Sequence, residues 1–350
     1  MIPDRGVTGN KVEPLPILEV EDLHMHFPIR GGILRRTVGW IKAVDGVTFT
    51  IQPGQTLGLV GESGCGKTTL GHTILQLNRA TSGSVRLGGT ELTTLSQPML
   101  RNTRRRMQVI FQDPLSSLHP RMTVGEILAE PLEIHGLAFG LTKVKRVHEL
   151  LLMVNLSPSL VSRYPHELSG GQRQRVGVAR ALAVEPTLLV CDEAVSALDV
   201  SIRGQVVNLL SEIQSRLGIA YLFISHDLGI VRHISTRVAV MYLGKIVELA
   251  DRDTLYTEAA HPYTQALLSA IPVPDPRVEK TRKRIILKGE IPSPAHPPTG
   301  CRFRTRCQYA QEICQMEEPL IRLVRPGHSV ACHFAEQLID HSGKVALLPT

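Results

Sequence analysis

Residues 61–68 form a glycine-rich segment, GESGCGKT, which fits the spacing G-x-x-x-x-G-K-[ST]. A phosphoryl group needs many donors around its oxygens, and backbone N–H groups at a helix start supply them. We expect Lys67 to reach the β- and γ-phosphates and the Thr68 hydroxyl to ligate Mg²⁺. The sequence therefore predicts a site for a nucleoside triphosphate, built from Gly61, Ser63, Gly64, Cys65, Gly66, Lys67, Thr68 and Thr69.

Two carboxylates, Asp192 and Glu193, directly follow the apolar run at 188–191. Open α/β sheets place their ligands at the carboxyl ends of such strands. We expect Asp192 to belong to the Mg²⁺ shell and Glu193 to polarise the attacking water. A pair of surface carboxylates after a strand is the alternative interpretation.

His226 and Gln112 complete the predicted catalytic set with Glu193. His226 follows the apolar run at 221–224 within Ile-Ser-His-Asp, and we expect it to contact the γ-phosphate. Without that context, a structural histidine among the fourteen of the chain is the simpler interpretation. Gln112, in Val-Ile-Phe-Gln-Asp-Pro, is expected to sense Mg²⁺ and the water, although a lone glutamine is weak evidence. The predicted Mg²⁺ ligands are Thr68, Gln112 and Asp192.

A second glycine-rich segment, LSGGQ at 168–172, precedes an apolar-periodic helix predicted over 172–184. A serine and free N–H groups at a helix start form a second anion site. One chain does not need two γ-phosphate sites unless the second faces another molecule. We therefore predict that Ser169, Gly170, Gly171 and Gln172 act on a nucleotide held elsewhere; a glycine-rich turn before a helix is the alternative.

The elements that position these residues follow from apolar periodicity. Residues 56–60 predict a strand before the first loop, and residues 68–77 predict a helix after it. The runs at 188–191 and 221–224 are typical of strands buried on both faces of a parallel sheet. From about residue 114 to 182 the pattern is largely helical, and one helical face carries Val144, Val147, Leu151 and Val154.

Both ends of the chain depart from this pattern. Two short strands, at 17–23 and 47–51, are predicted on either side of a Gly/Arg-rich insertion at 29–40, and residues 238–249 predict a hairpin. After about residue 258, proline-dense stretches, a basic segment and a cysteine-containing tail indicate a smaller module. We predict two domains, 15–258 and 259–350, without an internal repeat.

Composition sets limits on the function. The chain has 350 residues, of which 43% are hydrophobic, and a net charge of +7. No apolar run approaches the roughly 18 residues of a membrane span, and the N-terminus lacks the pattern of a secretory signal. We expect a cytoplasmic protein whose membrane role comes from a partner. The basic groups at 104–106 and 282–284 lack interleaved aromatic residues, so nucleic-acid binding is not expected.

These motifs, in this order, resemble those of ATP-binding cassette proteins. The resemblance implies an α/β fold: a P-loop NTPase with a RecA-like core, a helical subdomain and an antiparallel β-subdomain, here followed by a small C-terminal regulatory domain containing cysteines. It also implies that ATP lies between the phosphate loop of one copy and LSGGQ of another, stacked head to tail. Ser196-Ala-Leu-Asp199 matches the D-loop that communicates across this interface. Adenine would stack on Phe27, with Trp40 as the second candidate.

Longer segments narrow the resemblance to the ATPases of oligopeptide and dipeptide importers: residues 163–175, 112–126 and 261–268. The insertion at 29–40 and the loop sequence favour the F-type subunit. This implies a heterodimeric partner ATPase, two permease subunits, an extracytoplasmic binding protein and a position on the cytoplasmic face of the membrane. Alternatives are an importer of nickel or another small solute, a soluble cassette protein acting on nucleic acid or ribosomes, and a redox or iron sensor.

The tail contains four cysteines, Cys301, Cys307, Cys314 and Cys332. A cytosolic location argues against disulfides, and the spacing departs from the short CxxC pairs of structural zinc sites. Four thiolates can hold an iron–sulfur cluster, and the tail resembles the region of peptide-importer ATPases in which such a cluster occurs. We expect a [4Fe–4S] cluster; zinc and free thiols are the alternatives.

Overall fold

The computed structural model describes residues 15–32, 36–113, 117–272, 277 and 284–341. Several features predicted from the sequence lie outside these ranges. They are the N-terminus at 1–14, part of the Gly/Arg-rich insertion at 33–35, Pro114, the end of the first proline-dense stretch at 273–276, and the basic residues 282 and 283.

A large sheet forms the centre of the described chain. Its order is β11 (Arg322–Arg325), β12 (His328–Val330), β10 (Lys245–Asp251), β9 (Arg237–Tyr242), β3 (Thr56–Val60), β8 (Ala220–Ile224), β7 (Leu188–Asp192) and β6 (Met107–Ile110). The strands from β9 to β6 are parallel, whereas β10 is antiparallel to β9. The predicted parallel strands and the hairpin are thereby confirmed.

The apolar runs of this sheet are buried on both faces. Every residue of β3, β7 and β8 is buried. Along β8, Tyr221 and Phe223 pack into one core cluster, while Leu222 and Ile224 pack into the other. Since successive side chains of a strand point to opposite faces, the continuous apolar run of β8 serves two cores at once.

Helices cover the sheet and build the segment between β6 and β7. Their bounds are α1 (Lys67–Ile74), α2 (Gln97–Arg104), α3 (Val124–Ile134), α4 (Gly140–Met153), α5 (Gly170–Leu182), α6 (Val200–Leu217), α7 (Leu228–Ile234), α8 (Arg252–Glu258), α9 (Pro262–Ser269), α10 (Ile313–Met316) and α11 (Ala335–His341). Short 3₁₀ turns lie at Pro158–Ser162 and Pro165–Glu167. Among the described residues, no helix is both long and apolar enough to cross a bilayer.

The helical segment confirms most of the predicted apolar face. Val147, Leu151 and Val154 of this face are buried, whereas Val144 is 49% exposed. Val144 lies near the start of α4, on the rim of an open groove between α3 and α4. The periodicity of α4 thus continues beyond the part that its neighbours cover.

The N-terminal strands are longer than the sequence predicted. β1 (Leu18–Gly31) and β2 (Arg36–Ile51) pair along their whole length, from Leu18 opposite Ile51 to Gly31 opposite Arg36. With β4 (Ser82–Leu87) and β5 (Thr90–Glu91) they form an antiparallel sheet in the order β2-β1-β4-β5. The part of this hairpin nearest its turn, at the end of β1 and the start of β2, is largely exposed. Its residues therefore lack the apolar alternation on which strand prediction depends.

The C-terminal region is joined to the main sheet through a buried carboxylate. Glu248 of β10 accepts hydrogen bonds from the backbone N–H groups of Ala260 (2.7 Å) and His261 (3.1 Å). Nε2 of His328, at the start of β12, lies 2.7 Å from the same carboxylate. β12 pairs with β10, so residues after 258 extend the main sheet. The predicted division at residue 258 stays a prediction.

Candidate functional site

The glycine-rich loop turns sharply between β3 and α1. Gly61 and Gly66 have φ angles of 155° and 111°. A Cβ atom would lie 2.2 Å from the Met241 carbonyl oxygen at Gly61, and 2.0 Å from the Ala43 carbonyl oxygen at Gly66. These two positions leave no room for a side chain, which explains why the spacing of glycines is needed here.

Lys67 folds back into this loop. Its ammonium donates hydrogen bonds to the carbonyl oxygens of Gly61 (2.8 Å) and Glu62 (3.0 Å). The Lys67 side chain is buried. Because lysine is seldom buried without a partner, the two carbonyl oxygens account for its position. A cation is therefore held at the centre of the loop, where the phosphate oxygens of a nucleotide would need it.

A cavity of about 390 Å³ opens over the loop. Every predicted loop residue except Gly61 lines it. The lining residues are Ser63, Gly64, Cys65, Gly66, Lys67, Thr68 and Thr69, together with Phe27, Ile41, Lys42, Ala43, Gln112, Glu193, Gly244 and Pro294. Phe27 is thus at the cavity wall. Trp40, the second candidate for adenine stacking, is not among these lining residues.

The predicted Mg²⁺ ligands Thr68 and Asp192 touch each other. The Thr68 hydroxyl donates to Oδ1 of Asp192 at 2.9 Å. Burial at the end of β7 raises the pKa of Asp192, because the charged form loses hydration there. A hydroxyl and a buried carboxylate at one point are hard oxygen ligands of the kind that Mg²⁺ prefers, so these residues fit the ion.

The predicted catalytic residues surround one carboxylate. Nε2 of Gln112 donates to Oε2 of Glu193 at 2.8 Å, and Nδ1 of His226 lies 3.4 Å from Oε1. Glu193 adopts a φ of 47°, a strained conformation for a residue with a side chain. The structure therefore brings Gln112, Glu193 and His226 together at the edge of the cavity.

The LSGGQ segment lies elsewhere. The Ser169 hydroxyl accepts from Gln172 N–H (3.3 Å), and the Gln172 side chain accepts from Ser169 N–H (2.9 Å), which forms a capping box at the start of α5. Neither Ser169, Gly170, Gly171, Gln172 nor Asp199, which precedes α6, lines the cavity over the phosphate loop. A ligand of this segment would occupy a different surface of the chain.

The four tail cysteines form no disulfide and lie in one neighbourhood. Burial, together with a smaller contribution from the neighbouring tail cysteines, raises the pKa of Cys301 to about 11 and that of Cys332 to about 12. Within the described ranges, the group of three metal-binding side chains whose ligand atoms all lie within 4.8 Å contains no cysteine. The thiols are thus not arranged for a single tetrahedral ion such as Zn²⁺, whose sulfur ligands lie about 2.3 Å from the metal.

That group consists of His24, His26 and Asp45. Both imidazoles approach Oδ1 of Asp45, at 3.0 and 2.8 Å. The Arg302 guanidinium pairs with Oδ2. Although burial raises the pKa of Asp45, Arg302 and the two imidazoles lower it by more. Since the Arg302 guanidinium already pairs with this carboxylate and both imidazoles contact it, we interpret the group as a hydrogen-bonded network that joins β1, β2 and the tail.

Sequence reasoning missed one set of contacts at the loop. The Glu62 carboxylate accepts two hydrogen bonds from Arg306, at 2.6 and 3.0 Å, and the Glu62 N–H donates to the Tyr263 hydroxyl at 2.8 Å. Residues about two hundred positions away therefore hold the second residue of the phosphate loop. No local spacing signals such a pairing in a single sequence.

Comparisons with known proteins agree with this geometry. Residues 44–196 match the family model described as ABC transporter, and residues 247–314 match the model described as oligopeptide/dipeptide transporter, C-terminal region. The dimeric post-hydrolysis structure of the ATP-binding cassette MJ0796, bound to ADP and Pi, superimposes with a TM-score of 0.60 at 26% identity. The match covers 67% of this chain and 98% of the MJ0796 chain.

Relatives in the curated collection match almost end to end. The oligopeptide transport ATP-binding protein AppF of Bacillus subtilis (strain 168) is 52% identical over 91% of this chain and 97% of its own length. The protein y4tS of Sinorhizobium fredii, a probable peptide ABC transporter ATP-binding protein, is 50% identical over 91% and 89%. The chain therefore belongs to the ABC transporter family, in the group that carries the oligopeptide/dipeptide transporter C-terminal region.

Proposed function

We propose that this chain is the ATP-hydrolysing subunit of an importer for di- or oligopeptides. The observation that carries the proposal is the convergence of two contacts, Thr68 with Asp192 and Gln112 with Glu193, beside the phosphate-loop cavity. One contact joins two oxygen ligands for Mg²⁺, and the other orients a carboxylate toward the same cavity. Together they supply what phosphoryl transfer to water requires: charge neutralisation and a positioned nucleophile.

Each side chain has a distinct part in this chemistry. Lys67 and the loop N–H groups bind the β- and γ-phosphates, and Phe27 stacks on adenine. Thr68, Asp192 and Gln112 would hold Mg²⁺, which would neutralise charge on the phosphate oxygens when bound. Glu193 orients the attacking water and accepts its proton, while His226 contacts the γ-phosphate.

The LSGGQ segment acts on a second ATPase subunit. Ser169, Gly170 and Gly171 form a helix start whose N–H groups suit an anion, yet they do not line this chain's own cavity. Two subunits stacked head to tail would give each nucleotide both a phosphate loop and an LSGGQ helix start. Asp199, at the start of α6, would lie at that interface.

The relatives support a peptide substrate and membrane partners. Their names describe transport or import of peptides, and the matched C-terminal region is that of oligopeptide and dipeptide transporters. We infer that the chain works with a different ATPase, two permease subunits and an extracytoplasmic binding protein. It would bind the permeases at the cytoplasmic face of the membrane.

We further propose that the tail cysteines hold a [4Fe–4S] cluster. Backbone N–H groups point at the sulfurs: Phe303 and Arg304 at Cys301, Tyr309 at Cys307, and Phe334 at Cys332. Such bonds are a recognised way in which proteins stabilise cluster thiolates. A cubane also keeps its four thiolates farther apart than one ion does, because irons and sulfides lie between them. Among the described residues, no three tail thiols lie within 4.8 Å of one another, which favours the cluster over a single zinc ion.

The role of Glu193 can be tested by replacing it with glutamine. Glu193→Gln should keep ATP binding because the phosphate loop is untouched. The turnover number should fall by about 10²- to 10⁴-fold, because the base is lost. Steady-state phosphate release and ATP affinity would be measured in the assembled transporter. Glu212→Gln, at an exposed position of α6, is the matched control. Wild-type turnover in Glu193→Gln would remove this residue from catalysis.

The outward role of LSGGQ predicts an effect across subunits. Ser169→Arg should leave the ATP affinity of the isolated chain unchanged within about twofold, while ATP hydrolysis in the assembled pair falls by at least about tenfold. Ser169→Ala is the control, because it removes the helix cap, a cost of about 1 kcal/mol, without adding a bulky charge. Loss of ATP binding by the isolated Ser169→Arg chain would contradict the head-to-tail arrangement.

The cluster predicts equal metal loss in four variants. Each single substitution to serine should abolish bound iron and sulfide, because a four-thiolate site rarely survives with three ligands. The four substitutions are Cys301→Ser, Cys307→Ser, Cys314→Ser and Cys332→Ser. Iron, sulfide and zinc would be measured in anaerobically purified protein, together with the absorption band at about 400 nm. Cys191→Ala, in the buried strand β7, should retain the iron. Zinc in the unmutated protein, or iron below about one atom per chain, would contradict the cluster.

A further inference from the structure

The phosphate loop is held from outside by residues of the C-terminal region. Arg306 forms a two-pronged ion pair with Glu62, and the Arg306 side chain is only 7% exposed. The buried Tyr263 hydroxyl accepts the Glu62 N–H at 2.8 Å. Glu62 is thus fixed at both its side chain and its backbone.

The two residues that hold Glu62 are themselves rigidly packed. Phe303 contacts the rings of Tyr242 and Tyr263, with centroids 5.2 and 5.4 Å apart. Arg306 N–H donates to the carbonyl oxygen of Phe303 at 3.0 Å, which closes a turn between Cys301 and Cys307. The Arg306 guanidinium also lies over the Tyr242 ring, 6.0 Å from its centroid. The aromatic cluster therefore sets where the guanidinium points.

The C-terminal region reaches the nucleotide cavity at a second place. The carbonyl oxygen of Pro294 accepts a hydrogen bond from Lys42 N–H at 3.1 Å, and Pro294 lines the cavity. Arg302 pairs with Asp45 and donates to the carbonyl oxygen of Leu243, next to Gly244 of the cavity wall. Pro294, well beyond the ATPase motifs, thus forms part of the cavity wall, and Arg302 contacts the residue next to another part of it.

We propose that the C-terminal region is part of the nucleotide site, and that Arg306 and Tyr263 are positioning residues for the phosphate loop. The Glu62 carbonyl oxygen accepts a hydrogen bond from Lys67 at 3.0 Å, so a shift of Glu62 moves a partner of the phosphate-binding lysine. A bidentate arginine pair restrains both distance and orientation of a carboxylate. The proposal rests on the assignment of ATP to this loop.

The test is a double-mutant cycle on the full-length chain, with MgATP as the probe. Arg306→Gln and Glu62→Gln should each weaken MgATP binding by about fivefold, and the double variant should be no weaker than the worse single variant. Isothermal titration calorimetry gives the dissociation constants. Arg306→Lys, which keeps one charged bond, should recover part of the affinity.

Steady-state kinetics in the assembled transporter separate positioning from general stability. Because the contacts around Glu193 are unchanged, KM for ATP should rise while kcat stays within about twofold. Arg304→Gln is the matched control, since Arg304 lies in the same turn and bonds to Thr299. If Arg306→Gln does not fold, Glu62→Gln still tests the contact from the loop side.

Two further outcomes distinguish this proposal from the assignment of the site. Lys67→Ala should abolish MgATP binding; if it does not, the assignment of ATP to the loop is wrong. If Lys67→Ala abolishes binding while Arg306→Gln and Glu62→Gln bind and turn over MgATP like wild type, the positioning proposal is overturned. Additive effects of the two single variants would also overturn it, since independent residues do not share one interaction.

Discussion

The structure depends on the close approach of backbone at the phosphate loop. Gly61 packs against the Met241 carbonyl oxygen of β9, and Gly66 against that of Ala43 in β2. The loop can curl around a phosphate only while both contacts persist, because any side chain there would push it away. The loop therefore packs against two sheets that come from distant parts of the chain. Glu62 joins it to a third part, the C-terminal region, through Arg306 and Tyr263.

The main sheet gives this loop its chemical surroundings. Since β3, β7 and β8 are parallel neighbours, their carboxyl ends meet at one edge. Thr68 follows β3, Asp192 ends β7 and His226 follows β8. Each group therefore lies beyond the carboxyl end of a buried strand, at the same edge of the sheet. Burial makes the charged form of Asp192 costly, and a cation bound there would offset that cost. The fold thereby favours the combined binding of Mg²⁺ and a phosphate group.

Much of this arrangement could be predicted from the sequence, and the remainder has a physical explanation. Buried parallel strands and a loop whose glycines are sterically required leave local patterns, which is why residues 56–68 and 188–193 are recognisable. The exposed part of the β1–β2 hairpin, nearest its turn, contributes little to a core. Its sequence therefore lacks the apolar alternation that predicts a strand. The contact between Arg306 and Glu62 joins positions 244 residues apart, which no local periodicity can reveal. Val144 follows its helix period but faces an open groove.

The central claim is that Thr68 and Asp192 form one Mg²⁺ site beside the phosphate loop, and ATP affinity with and without Mg²⁺ tests it most directly. We predict that Mg²⁺ strengthens ATP binding in the wild type by at least about tenfold, and that Asp192→Asn loses this dependence while its Mg²⁺-free affinity stays close to wild type. An Asp192→Asn chain that keeps the full Mg²⁺ dependence would contradict the account.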